Sequence, residues 1–243
     1  MNQEFKQLHR QVTYLKYYAF TSSLALIVFL FSAFRHDQQT FDVIRAKGIV
    51  IEDSAGKDRI LIGAPIPSSP YRVRTDTALV RKHWGTHYQN TDQFMKWYSN
   101  YYHGAVGMVV LNEKGFDRIA VGDRLPDPNS GKRMFEIAGM TWNDREGWER
   151  GGLGVNTTKD GKARTAVGLD DDNGEAVHLV ALEDGTKGLI IGGETGHLMI
   201  GMSKKNGEWF QNKEAYTGIK FFDKKGNLVW EKQMNSDQKT AKE

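Results

Sequence analysis

The side chains in this chain that could do chemistry come in small, separated groups. Asp144, Glu146 and Glu149 lie beside Trp142 and Trp148, and carboxylates next to tryptophans are the composition of a sugar cleft. Two such acids held roughly 5–10 Å apart would hydrolyse a glycosidic bond; the competing reading is a turn whose tryptophans pack on a sheet edge. His83 and His87 are four apart, the spacing of two metal ligands on a helix, but no carboxylate lies between or beside them. They read as separate surface histidines. Asp170, Asp171, Asp172 and Asn173 precede Gly174 and Glu175 and invite calcium, yet Leu169 occupies the place of the loop's first ligand, so a solvated turn is expected. G-x-S-x-G, H-E-x-x-H and G-x-x-x-x-G-K-[ST] are absent. The absence of cysteine removes thiolate chemistry and disulfides. No metal and no cofactor is expected.

A denser group is aromatic. Trp84, Tyr88, Trp97, Tyr101 and Tyr102 share residues 64–106 with Arg72, Arg74, Arg81 and Lys82. Tyr, Trp and Arg are the residues that interfaces concentrate at their energetic centre. A protein partner, another copy of the chain, or a glycan stacked on exposed rings would fit such a surface. Lys+Arg exceeds Asp+Glu by only 33 − 30 = +3, too small a surplus for nucleic acid. Asn90 and Gln93 resemble a capping box. With Phe94, Trp97, Tyr98 and Tyr101 on one face and Gly104 beyond, they predict a helix over about 91–102.

Positioning these groups falls to a glycine-rich body. All 26 glycines lie at or after Gly48, interleaved with Val, Ile, Leu and Phe, which marks β-structure with tight turns. Residues 48–63, 107–122, 152–168 and 177–192 each carry a β-branched run, a polar turn ending in glycine, and a second run. A closing glycine follows the turn glycine by seven positions: Gly56 and Gly63, Gly115 and Gly122, Gly161 and Gly168, Gly185 and Gly192. Arg59, Arg118 and Arg164 stand three after the turn glycine, where the fourth unit has Gly188. Residues 198–210 and 218–230 are degenerate versions. Each unit reads as a hairpin whose turn glycine takes positive φ. The closing glycine would allow a sharp bend or the close approach of another backbone. The arginine is expected to clamp the turn or form a salt bridge, with a binding role along one face as the alternative.

One hairpin cannot bury its apolar face alone, so several must stack. Uneven spacing of the arginines favours hairpins with insertions over a solenoid of constant rung. Pro65, Pro67, Pro70, Pro126 and Pro128 all follow the first two units, where the chain would leave the sheet. The expected fold is mainly β: stacked antiparallel hairpins in an irregular sheet or solenoid-like array.

The run AGMTWNDREGWERGGLGV and the hairpins after it resemble a family of uncharacterised bacterial proteins with a short hydrophobic N-terminal segment and such hairpin repeats. The matching positions are Gly139, Met140, Trp142, Asn143, Asp144, Gly147, Gly151, Gly152 and Leu153, within a resemblance over about 43–195. It implies an architecture and carries over no catalytic residue. The aromatic stretch 80–104 has no counterpart in it.

Residues 17–34 hold no charge; as a helix they reach roughly 27 Å, close to the ~30 Å of bilayer hydrocarbon. Tyr17 and Tyr18 sit at interfacial depth, and Lys16 and Arg35 bracket the run. The lack of a good small-residue cleavage site favours an uncleaved anchor over a signal peptide. Lys6, Arg10 and Lys16 balance Arg35, Arg45 and Lys47, so the positive-inside count is tied. The free amino terminus and the large following domain favour a cytoplasmic N-terminus with residues 35–243 outside. Phe5, Leu8, Val12 and Leu15 keep the a/d spacing of a coiled-coil seam, continued by Ala19, Ser22, Leu26 and Phe29, which points to self-association. The expected organisation is a lead-in over 1–16, an anchor over 17–34, a repeat domain over 35–234 with its aromatic insert at 64–106, and a disordered tail over 235–243. The expected function is that of a single-pass, membrane-anchored, non-enzymatic β-repeat scaffold whose partner surface is the aromatic insert. A carbohydrate or cell-wall binding module and a carboxylate-pair hydrolase stand as alternatives.

Overall fold

The computed structural model describes residues 3–33, 42–129, 135–207 and 209–234. The expected tail over 235–243 lies outside them, as does residue 34 of the expected anchor. The chain divides into two compact units, Met1–Arg45 and Ala46–Glu243. In the first, lead-in and apolar run form one continuous helix, α1 (Gln3–Ala33), long and apolar enough to cross a membrane as an anchor or to serve as a signal sequence.

The second unit is built on one open antiparallel sheet of twelve strands in sequence order. Three hairpins start it: β1 (Gly48–Glu52) with β2 (Asp58–Gly63), β3 (Val106–Leu111) with β4 (Asp117–Asp123), and β5 (Glu136–Asn143) with β6 (Glu149–Thr157). It continues through β7 (Ala163–Asp171), β8 (Gly174–Ala181), β9 (Lys187–Gly193) and β10 (Gly196–Ser203), and ends with β11 (Tyr216–Asp223) and β12 (Leu228–Gln233). The mainly β hairpin architecture is as expected. The hairpins lie side by side in one sheet and do not form solenoid rungs.

One turn recurs. Asp53 donates its N–H to the Lys57 carbonyl, and Gly56 donates back to the Asp53 carbonyl; turns opening at Asn112, Asp144, Thr158, Leu182 and Asp223 repeat the pattern. Asp53 Oδ1 also accepts from the N–H groups of Ala55 and Lys57, as Asn112 Oδ1 does from Lys114 and Phe116. A short side-chain acceptor followed three residues later by a glycine, φ +72° at Gly56, is what this geometry selects. The Asp144–Gly147–Arg150 hairpin belongs to the series, although the repeat pattern read from sequence did not include it. It escaped notice because β6 serves two hairpins at once.

The arginines tie each hairpin to the next. Arg59, Arg118 and Arg150 each occupy a bulge just after the turn, where the strand register skips one residue. Arg59 pairs with Asp53 of its own turn and donates to the Asn112 carbonyl of the following one. Arg118 Nε donates to the Asn143 carbonyl at 3.0 Å. Arg150 pairs with its own Asp144 and, at 2.7 Å, with Asp172. Arg164 pairs with Glu183. The expected turn clamp is thus an inter-hairpin staple, and Asp172, read from sequence as part of a solvated turn, holds one end of it.

Cross-strand register explains a further set of glycines. Gly48, Gly63, Gly107, Gly122, Gly139 and Gly154 stand opposite one another from β1 to β6. After Ala166 and Val180 the row resumes with Gly188, Gly201 and Gly218. A Cβ on Gly122 would lie 2.0 Å from the Val106 carbonyl oxygen, and one on Gly107 2.0 Å from that of Val121. The row therefore marks close approach at most of its glycines; of the four closing glycines Gly63 and Gly122 stand in it, whereas Gly168 and Gly192 do not. It lies on the face that also carries Leu61, Val109 and Met199, and this face is covered. The insert over 64–106 lies on its first half and residues 204–215 on its far end, where the buried Lys220 ammonium donates to the Phe210 carbonyl at 2.9 Å. Pro65, Pro67 and Pro70 fall in the first of these excursions, as expected.

Alanine at Gly122 is expected to cost about 2–4 kcal/mol, because backbone atoms would have to move. Gly161→Ala, strained only by its φ of +79° in open space, is expected to cost about 1–2 kcal/mol. Thermal unfolding followed by circular dichroism ranks the two, and the reverse order would contradict a close-approach row.

Candidate functional site

The aromatic insert is held down from its start. Ile66 donates to the Ala105 carbonyl at 2.8 Å, and Val73 donates to the Gly115 carbonyl at 2.9 Å. Asp76 caps α2 (Thr77–His83) by accepting from Ala78 and Leu79, and Asn90 caps α3 (Thr91–Tyr98) by accepting from Gln93. The cap is where the sequence placed it, but α3 ends at Tyr98, short of the expected residue 102. Short helical turns at Val73–Thr75 and Gly85–His87 complete the insert. Its apolar side, with Val80, Trp84, Phe94 and Tyr98, packs together with Phe116 of the β3–β4 hairpin.

Beneath it lies a buried ionic cluster. Arg72 makes a two-pronged bond to Asp117, Nε to Oδ1 at 2.8 Å and Nη2 to Oδ2 at 2.7 Å. Arg74 Nε comes within 3.2 Å of the same Oδ2, its Nη2 donates to the Gly147 carbonyl at 2.9 Å, and its guanidinium stacks 4.3 Å over Trp84. Tyr98 Oη donates to the Arg74 carbonyl, and Asn143 Nδ2 donates to the Asp117 carbonyl. Burial works against the Asp117 carboxylate, but the two guanidiniums overcome it and hold its pKa below the ordinary 3.8. Burial pushes the Tyr101 phenol up. The two arginines lock the insert to the turns of two different hairpins.

This geometry corrects the expected partner surface. Trp84 and Arg74 are each 1% exposed, and Tyr101 and Arg72 are also buried, so these four build the interior. Tyr88 is half-buried, stacked on Phe94 at 4.5 Å. Trp97 and Tyr102 remain exposed, at 50% and 44%, with Arg81 paired to Asp92 and Lys82 in solvent. Trp148 packs against His87 and Tyr88, and His83 sets its ring edge against Phe116. Asp144, a candidate acid, has Oδ1 engaged by Glu146 and Trp148 N–H groups and Oδ2 by Arg150. A cavity beside Arg72, His103, Asp117 and Thr141 measures about 20 Å³, room for a water and too little for a sugar ring. Among the described residues no cluster of His, Asp or Glu could hold a metal ion.

The surface that sequence reasoning missed is the other face of the sheet. One row runs from Ile49 through Met108, Val121, Leu153 and Leu179 to Ile219 before meeting Lys232. A parallel row runs from Ile51 through Ile119, Trp142, Leu169 and Ile191 to Phe221 and Trp230. Apart from Gly151 and Lys232, every position in both rows is apolar. Among the described residues no helix or loop of the second unit packs on this open face; Leu153 stays 43% and Leu179 56% exposed. The signal was present: GIVIE, RILIG, GMVVL and GLIIG are continuous apolar runs, the pattern of strands covered on both faces.

Asp117→Asn leaves two guanidiniums buried without a counter-charge and is expected to destabilise the protein by about 3–5 kcal/mol. Because folding depresses this pKa, the cluster's contribution is complete above the unfolded carboxylate's 3.8 and is lost as pH falls below it. Melting temperatures of wild type and variant should therefore converge in strong acid, and an equal gap at every pH would contradict the assignment.

Compared with protein-family models, with curated proteins and with solved structures, the chain matches none.

Proposed function

We propose that this protein is a non-enzymatic scaffold anchored by α1, N-terminus in the cytoplasm and sheet outside, which binds its partner through the open apolar face. The observation that carries this reading is the pair of rows, apolar except at Gly151 and Lys232, that cross the sheet with no described element of the second unit over them. Patches on soluble monomers rarely exceed a few hundred Å² unless something binds them. The polar groups that invite catalytic readings are engaged elsewhere: Asp144 in its turn, Asp117 with two arginines, Asp172 with Arg150. In this reading the aromatic insert builds the scaffold and its partner surface lies on the opposite side of the sheet.

The test uses single-cysteine variants of the otherwise cysteine-free chain in native membranes. The protein should sediment with membranes after alkaline carbonate extraction. Leu179→Cys on the open face should resist a water-soluble maleimide, whereas Lys224→Cys in the exposed β11–β12 turn should react. Release by carbonate would contradict the anchor, and full labelling of Leu179→Cys would contradict the interaction surface.

A further inference from the structure

We infer that the open face is buried against a second copy of this chain. This rests on the reading of that face as an interaction surface and names the occupant. The exposed apolar area of the two rows is on the order of 1,000 Å², against about 800 Å² contributed by each partner to a standard stable interface.

Among the described residues of the second unit, no further segment covers it. The covered face already uses the insert and residues 204–215.

The chemistry of the face favours its own kind. A two-fold interface must match itself, and a patch of aliphatic side chains without opposed charges does so wherever the two sheets meet. Face-to-face sheets pack about 10 Å apart through such interdigitating rows. A lipid surface would call for basic residues around the patch. One bordering row carries Asp123, Thr165, Lys187 and Thr217, and at the other border Arg59, Arg118 and Arg150 are offset by Asp53, Asp144 and Asp172, so neither border has a basic excess. Independently, the seam of Phe5, Leu8, Val12 and Leu15 on α1 is also uncovered, so both units present apolar surfaces of a type that pairs with itself.

Position-specific cross-linking tests this. Full-length Leu153→Cys and Leu169→Cys, on the two central strands, are treated with a bifunctional maleimide in native membranes and in mild detergent, with Lys224→Cys as the control. Covalent dimer is expected from the open-face positions and not from the control. Adding Leu179→Glu should abolish the dimer while the β-sheet circular dichroism persists; should that variant not fold, Leu179→Thr should reduce the dimer instead. Open-face cysteines that react freely with a monofunctional reagent and give no dimer would overturn both this inference and the proposed interaction surface. Cysteines protected yet giving no dimer, or protected in membranes and exposed in detergent, would overturn the second copy and leave a different protein or lipid as occupant. Equal dimer yield at Lys224→Cys would also overturn it, as non-specific association.

Discussion

Two strands that pair along their full length fix the distance between their backbones, and in this protein a Cβ at most positions of one line across the sheet, Ala166 and Val180 excepted, would collide with neighbouring atoms. The glycine row from Gly48 to Gly218 is that line. It lies on one face only, so it sorts the two faces into different roles. On its own face the excursions after β2 and β10 settle down, the first bringing buried Arg72 against the sheet and the second capping buried Lys220 of β11. The opposite face keeps apolar rows interrupted only at Gly151 and Lys232. A substitution in the row would push strands apart beneath the insert and disturb the rows behind it.

Charge is used to fasten elements, and each fastening has a partner far along the chain. The staples at Arg59, Arg118, Arg150 and Arg164 each join one turn to the next, so the order of strands is reinforced along the sheet edges as well as by the ladders. The Arg72–Asp117–Arg74 cluster does the same for the insert. A buried cluster of this kind is weak evidence for net stability, since desolvation of three charges opposes their attraction. Its geometry fixes where the insert sits, because a guanidinium that loses Asp117 has no other carboxylate within reach in the described contacts.

What could be read from sequence was what depends on neighbours in the chain. Asp53 and Gly56, or Asn112 and Gly115, select their turn by hydrogen bonds spanning four residues, and Asn90 caps its helix over three. The arginines of the repeat were legible as clamps because their spacing from the glycine is local. The glycine row was not, because opposition of Gly63 to Gly107 follows from a register set across a 43-residue separation. The roles of Arg72 and Arg74 were misread for the same reason: Asp117, which draws them inward, stands more than forty residues away, and aromatics with arginines look alike at an interface and in a core. The open face was overlooked because hairpin periodicity drew attention to turns, while the continuous apolar runs between them carried the information about cover.

The central claim is that one face of the sheet is satisfied within the chain and the other is satisfied by a partner. An experimental structure by electron cryomicroscopy of the full chain, extracted with its native lipids, tests it most directly. The account predicts a second sheet packed about 10 Å from the rows through Leu153 and Leu169. Bulk solvent against those rows, with the insert still closed over the glycine face, would contradict it.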